Sequence, residues 1–491
     1  MQSSKVGERI PKRNWIFGVA GAVLLGAAYY LAASIEEPLA AFAIFFVAVI
    51  MVIIGTYLVF ISGSVVFCKL LQKNKKYYYK PNHFVSVSSM VYRMKRNGAG
   101  LASICILLTM VLVMISSTTS LYFGEEYSLK NRCPNDINIT MTFDTIEGIS
   151  DTNLNTLRDN IGQYSGEGVN LKGVRACEIP GLITEEGITV DTSSLVNFSA
   201  STYNNVGYLS VLSIDDYNNM MGTNETLADD ECFVYCDRLN YQWDTFTMEY
   251  GTTYKVKTQL DDFQVDGDTA AMIMPTVFLV VDDIYAFSEP VKDMKNSIGD
   301  PVMMYDWRCG FDVETVDIEN EVSVNLKEMF RNMYIENNEA FNSFSVQNRE
   351  AMREAFYDVY GSLFFLGIML SIVFLLAAVL IIYYKQISEG YEDHSRFEIM
   401  QKVGMTKKDI RKSINSQMLT VFFLPLIFAG IHLTFAFPFI SKILMLFAMD
   451  NVALTAVVNF ICFTVFGLFY AFVYKITSST YYTIVSSIKK Q

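Results

Sequence analysis

Cys232 and Cys236 stand at the spacing of half a metal site, in a stretch that also holds Cys133, Cys177 and Cys309. Thiolates so placed would bind zinc if two further soft ligands converged on them. The three histidines, His83, His394 and His432, all lie elsewhere, and no second close cysteine pair accompanies the first. The ligand count therefore predicts no metal and no cofactor. Five cysteines cannot all pair within one chain. One or two disulfides suit an oxidising setting, and free thiols a reducing one. A Gly-x-x-x-x-Gly-Lys-Ser/Thr phosphate loop, a Gly-x-Ser-x-Gly elbow and a His-Glu-x-x-His helix are all missing from the sequence. No catalytic residue is assigned, and the chain is not expected to be an enzyme.

A second group of residues is suited to docking rather than to reaction. Residues 385–417 read KQISEGYEDHSRFEIMQKVGMTKKDIRKSINSQ. The pattern predicts a short helix over Arg396–Val403, ended by Gly404 at the position that favours left-handed backbone. Thr406 should cap a second helix, with Asp409 three residues on as in a capping box. Phe397, Met400 and Val403 share one face of the first helix at helical spacing, and Met405 sits at the turn. Apolar anchors ringed by charge fit a groove on a cytoplasmic partner. The same basic loop could also rest on lipid headgroups.

Membrane spans must position that loop. Trp15–Ala33, Leu39–Ile61, Leu101–Leu121, Ser362–Tyr384, Met418–Phe439 and Ala453–Tyr474 are almost free of charge. Each is long enough to cross about 30 Å of hydrocarbon as a helix. Lys5, Arg9, Lys12 and Arg13 precede the first span. Lys69, Lys73, Lys75, Lys76, Lys80, Arg93, Lys95 and Arg96 follow the second. The 385–417 loop and Lys489-Lys490 are basic as well. The positive-inside rule places all four segments in the cytoplasm, and Ser34–Pro38, with Glu36 and Glu37, outside. The first apolar run is too long for a cleavable signal.

Within the spans, Gly18, Ala22 and Gly26 form a small-residue stripe suited to helix contact. His432 is an ionisable residue in the fifth span. It reads either as a functional group or as a neutral imidazole bonded between helices. Pro425 and Pro438 should kink the helix that carries it.

Charge separates the rest of the chain. Residues 121–357 carry 41 Asp+Glu against 15 Lys+Arg, a net of −26, while the remainder nets +13. The acidic segment alternates apolar and polar residues. Strands are expected at Asp136–Phe143, Gly187–Val190, Tyr208–Ser213, Thr253–Thr258 and Ala271–Val281, and helices at Thr152–Ile161, Ile214–Met221 and Val322–Met333. The expected fold is a polytopic α-helical membrane protein of six spans, three plus three, with a large mixed α/β extracytoplasmic domain between the third and fourth. Its parts are a cytoplasmic N-terminus (1–14), three spans (15–121) with a basic loop (68–98), and the extracytoplasmic domain (122–344). A stalk helix (345–361), a second three-span domain (362–477) carrying the 385–417 loop, and a cytoplasmic tail (478–491) follow. The acidic surface would draw cationic peptides, or would serve solubility alone. No nucleic-acid partner is expected.

The run Phe397-Glu398-Ile399-Met400-Gln401-Lys402-Val403-Gly404-Met405-Thr406-Lys407-Lys408-Asp409-Ile410 resembles the signature of FtsX/MacB-type permeases, in which Glu-Ile and a following Gly-x-Thr/Ser precede a second helix. With residues 79–84, 92–95 and 380–390, it is similar to the bacitracin-type subgroup of antimicrobial-peptide ABC permeases. The resemblance implies a bacterial plasma-membrane location and a separate ABC ATPase that docks on Phe397, Glu398, Met400, Gln401, Lys402, Gly404, Met405 and Thr406. It further implies removal of cell-wall-targeting peptide antibiotics from lipid-linked precursors, often with a sensor histidine kinase. Alternatives are a membrane scaffold relaying peptide detection to such a kinase, and an FtsX-like regulator of cell-wall hydrolases, which usually has four spans. Permeases of this subgroup usually have ten spans, so four more are expected before the pair that opens this chain.

Overall fold

The computed structural model describes residues 15–35, 38–63, 72–73, 81–165, 171–190, 205–237, 241–249, 252–261, 263, 274–295, 299, 301–336, 341–402, 404, 406–447, 449 and 451–486. The basic segment before the first span, Glu36-Glu37, Lys69, Lys75, Lys76, Lys80 and the Lys489-Lys490 tail lie outside them. The chain forms two compact units. One comprises residues 1–124 with 360–491, and the other residues 125–359.

The first unit is helical. Its elements are α1 (Trp15–Ser34), α2 (Pro38–Leu58) followed by a π turn at Val59–Gly63, much of α3 (Pro81–Arg132) and most of α8 (Arg349–Lys402). α9 (Lys407–Met445) and α10 (Val452–Ser486) complete it. Among the described residues six helices are long and apolar enough to cross a membrane, which makes this a multi-pass membrane protein. The helices outrun their apolar stretches. α8 is a single helix of 54 residues, about 80 Å at helical rise.

The expected short helix at Arg396–Val403 is therefore not separate; its residues through Lys402 are the end of α8. Gln386, Glu389 and Asp393, at helical spacing, are buried and give the stretch beyond the apolar run an inward face that keeps it helical. Between α1 and α2 the close approach is made by Gly21, where an added Cβ would meet Leu58 at 2.7 Å, and by Gly55 against Leu25. Ala22 and Gly26 of the expected stripe are exposed, because the buried seam runs Gly21, Leu25, Ala28, Ala32.

The second unit is a mixed sheet with helices. Its strands are β1 (Ile137–Phe143), β2 (Lys172–Thr184), β3 (Gly187–Thr189), β4 (Val206–Ser213) and β5 (Glu231–Asp237). The others are β6 (Thr245–Met248), β7 (Thr253–Gln259), β8 (Thr276–Val281), β9 (Met304–Phe311) and β10 (Ser343–Asn348). Helices α4 (Asp151–Ser165), α5 (Ile214–Met221), α6 (Ile284–Ser288) and α7 (Val316–Glu336) connect them.

The order is β10-β1-β9-β2-β3-β6-β7-β5-β8-β4, and β2 also pairs with β4. The ladder from β2 through β3, β6, β7, β5, β8 and β4 thus returns to β2, which leaves those strands no open edge. β9, β1 and β10 extend from the first half of β2. Ile179, Leu209, Val234, Leu279 and Trp307 fill the main core. A second cluster of Tyr217, Phe233, Phe263, Phe278 and Val280 covers the opposite face, and every residue of β8 is buried.

The stalk helix expected over 345–361 begins later than its sequence suggests. Residues Ser343–Asn348 pair with β1 as an edge strand. Asn348 then ends the strand and starts the helix, its Oδ1 accepting the Ala351 backbone N–H at 2.8 Å.

Candidate functional site

The turn between α8 and α9 is the place where two long helices meet end to end. Gly404 there has φ of 107°, a backbone region that side chains disfavour. Lys402, Gly404 and Thr406 are exposed, and Thr406 immediately precedes α9, where a cap belongs. Phe397, Glu398, Met400 and Gln401 occupy the last turns of α8 and, like Asp409 in α9, are described in backbone only. Val403 and Met405 lie outside the described residues. Ile399, assigned to no face by the spacing argument, is 62% exposed beside this turn.

Both helices are fastened to the end of α10. Tyr481 is buried and its hydroxyl donates to Asp393 Oδ2 at 2.7 Å. His394 Nδ1 lies 3.2 Å from the Val485 carbonyl, the tautomer that donates to it. Gly390 lets Tyr481 and Ile484 approach to 3.3–3.4 Å of where a Cβ would stand. On the other side the Arg411 guanidinium sits over the Tyr482 ring, 5.1 Å from its centroid. Tyr474 donates to Asn415 at 2.7 Å. Tyr481 and Tyr482, neighbours in sequence, thus hold one helix each. Their role is not legible in the sequence, because no motif marks a tyrosine pair; the signal that remains is a polar helix end that continues past an apolar run.

In the helical unit, His432 is a joint between three helices. Thr56 gives its hydroxyl proton to the Val52 carbonyl at 2.6 Å, so at 3.1 Å from His432 Nε2 it can only accept. Nε2 then carries the hydrogen, and Nδ1 accepts from the Tyr29 hydroxyl at 2.6 Å. Every polar atom of the ring is satisfied in the neutral form, which matches the structural reading of this residue.

The sheet unit holds a buried ionic network. Arg308 donates to both Glu178 and Asp306, with the latter contact at 3.2 Å. Ser210 donates to Glu178 at 2.6 Å and Thr142 to Asp306 at 2.8 Å. Burial pushes the Glu178 carboxyl up, an effect opposed by Arg308 and reinforced by Asp306. Burial also lowers Arg308, but the two carboxylates outweigh it and hold the guanidinium above its ordinary value. Beside this network opens a cleft of about 340 Å³. Leu212, Met220, Phe263 and Phe278 line it together with Asn138 and Arg308.

Cys105, Cys177, Cys232, Cys309 and Cys462 are free thiols, and among the described residues no group of three or more His, Cys, Asp or Glu could hold a metal ion. Cys232 is buried in the core and Cys236 half-buried on the same strand.

Residues 368–487 match the family described as FtsX-like permease C-terminal, which takes in most of α8, the turn, α9 and α10. The C-terminal membrane segment is therefore an FtsX-like permease domain. Relatives include the ABC transporter permease protein YxdM of Bacillus subtilis (strain 168), 23% identical over 80% of this chain and 57% of the relative. The uncharacterized ABC transporter permease YvcS of the same organism is 21% identical over 100% of this chain and 70% of the relative. The bacitracin export permease protein BceB of Halalkalibacterium halodurans is 24% identical over 78% of this chain and 55% of the relative. The chain thus spans little more than half the length of two of these relatives.

Proposed function

We propose that this chain is a non-catalytic permease subunit of an ABC transporter, whose α8–α9 turn docks on a separate ATPase. The carrying observation is the exposed left-handed Gly404 between two long helices, each pinned to α10, inside the segment that matches the permease family. Pinned helices move as a body, so a push at the turn is passed along α8 rather than absorbed by a loose loop. Phe397, Glu398, Met400, Gln401, Lys402, Gly404, Met405 and Thr406 form the docking segment in this reading. The turn and both termini face the cytoplasm, and residues 122–361 face outward.

The substrate class is a cell-wall-targeting peptide antibiotic or its lipid-linked target. Support comes from the net −26 of residues 121–357 and from the cleft that sets aromatic rings beside polar groups. It comes also from a relative that is named for bacitracin export. The test is to express the chain with its neighbouring genes in a sensitive host, purify it, and assay the co-purifying ATPase with and without bacitracin. An ATPase stimulated by the chain, with resistance lost when Met400→Asp is introduced, is the expected result. Co-purification of a histidine kinase without an ATPase would instead favour a sensing scaffold.

A further inference from the structure

The two sides of the sheet differ in chemistry. On β9, Tyr305, Trp307 and Cys309 belong to the main core, so Asp306, Arg308 and Gly310 point to the opposite side. There Arg308 and Gly310 line the cleft of about 340 Å³, together with Thr140 of β1 and Val174 of β2. Arg308 uses Nη2 alone for both Glu178 and Asp306. Its Nε and Nη1 make no hydrogen bond among the described residues, and the side chain is 20% exposed. The guanidinium therefore keeps donors for a guest.

Asn135, Thr140 and Asn219 also line the cleft, and their side chains make no hydrogen bond among the described residues. Each can both donate and accept. Gly310 keeps the floor beside them bare, since an added Cβ would meet Asn135 Oδ1 at 2.5 Å.

Three properties of the guest follow. It is uncharged, because an anion would meet Glu178 and Asp306, and a cation would meet the guanidinium. The acidity of the whole segment weighs further against an anion. It is rich in hydroxyls, the groups that answer side chains able to give and take a hydrogen bond. Its apolar part is small. Leu212, Phe263 and Phe278 close the other end of the cleft but are only 4%, 5% and 3% exposed. So little open surface cannot bury a phenylalanine-sized side chain, whereas a methyl group fits it.

A compact, neutral ring with hydroxyls and one acyl methyl is an N-acetylated pyranose. We propose that this cleft binds an N-acetylated sugar. Arg308 holds the acyl carbonyl, Asn135, Thr140 and Asn219 hold hydroxyls, and the methyl lies against Phe263 and Phe278. The assignment rests on the outward placement of residues 122–361 in the proposed function, and it selects a sugar-bearing ligand over a bare peptide at this cleft.

The test is binding to the full chain in detergent, followed by saturation-transfer NMR during titration with N-acetylglucosamine, glucose or N-acetyl-leucinamide. N-acetylglucosamine should bind with a Kd of about 1 mM, the level for a ligand of its size. Glucose, which lacks the acyl group, should bind about tenfold more weakly. Thr140→Val and Asn219→Ala should each weaken the sugar about two- to tenfold, with tryptophan fluorescence unchanged. Absence of sugar binding well above that Kd overturns the proposal. Equal binding of glucose, tighter binding of N-acetyl-leucinamide, or undiminished binding in both variants does so too. ATP hydrolysis is not among the readouts. A chain that stimulates an ATPase yet binds no sugar therefore overturns this site and leaves the permease reading standing.

Discussion

In the sheet unit, Glu178, Asp306 and Arg308 satisfy one another across β2 and β9, with Ser210 and Thr142 closing the remaining bonds. In the helical unit, His432 and Asn459 are single buried side chains set into apolar faces; His432 joins three helices, and Asn459 has an open acceptor among the described residues. The contrast follows from where backbone hydrogen bonds go. A helix meets its own, so a lone polar side chain is free to tie one helix to another. A strand borrows from its neighbours, and charge on its buried face must be cancelled on the same sheet. Polar groups therefore stabilise the sheet unit from within, and in the helical unit they make joints between helices.

The largest effect is expected from removing one partner of the sheet network. Arg308→Met strands Glu178 as a buried, uncompensated carboxylate and should destabilise the sheet unit by about 3–5 kcal/mol. Trp243 and Trp307 are both buried in that unit and report its unfolding by fluorescence. Adding Glu178→Gln should recover much of the loss, and no recovery would mean that the network is not the cause. Glu178 also gives the unit a pH signature. Its folded value is raised, so its contribution to stability is complete below the ordinary carboxylate range and is lost as pH rises through the raised value. Glu178→Gln should flatten that part of the stability profile.

A smaller effect is expected at the helix joints. Tyr481→Phe deletes a hydrogen bond to a buried carboxylate, worth about 1.5–3 kcal/mol. Amides of α8 between Gln386 and Lys402 should then exchange faster, with the sheet unit unaffected. Smaller still is His432→Leu. Thr56 keeps its bond to Val52, so only two interhelical bonds go, at about 0.6 kcal/mol each. Resistance of the helical unit to denaturing detergent should fall slightly.

Thiol chemistry gives an independent reading of the sheet unit. Burial pushes Cys232 and Cys309 up to about 12, so alkylation near pH 8 should leave both unmodified until the unit is unfolded. Rapid modification of either would contradict the packing.

Run length made the six spans legible, since about twenty uncharged residues leave few alternatives. Alternation found β1, β3, β4, β7 and β8, and helical spacing found α4, α5 and the middle of α7. It missed β2 and β9 for a physical reason. Glu178 in β2 and Asp306 in β9 fall on buried positions and pair with the half-buried Arg308, so a strand buried through ion pairs looks polar on paper. β10 was hidden by helix-forming residues directly after it, and only Asn348 marks the switch. At the α8–α9 turn, the left-handed Gly404 and the start of α9 directly after Thr406 were readable. The hold of Tyr481 and Tyr482 was not, because contacts between distant helices leave no local spacing.

In the proposed function, the α8–α9 turn passes force to or from an ATPase. The direct measurement is ATP hydrolysis by the co-purified complex, comparing the unaltered chain with Gly404→Pro, which cannot adopt the positive φ found there. Stimulation of hydrolysis should fall at least tenfold while the chain remains in the membrane and its tryptophan fluorescence is unchanged. Full stimulation with Gly404→Pro, in a complex of normal composition, would mean that the turn does not transmit force.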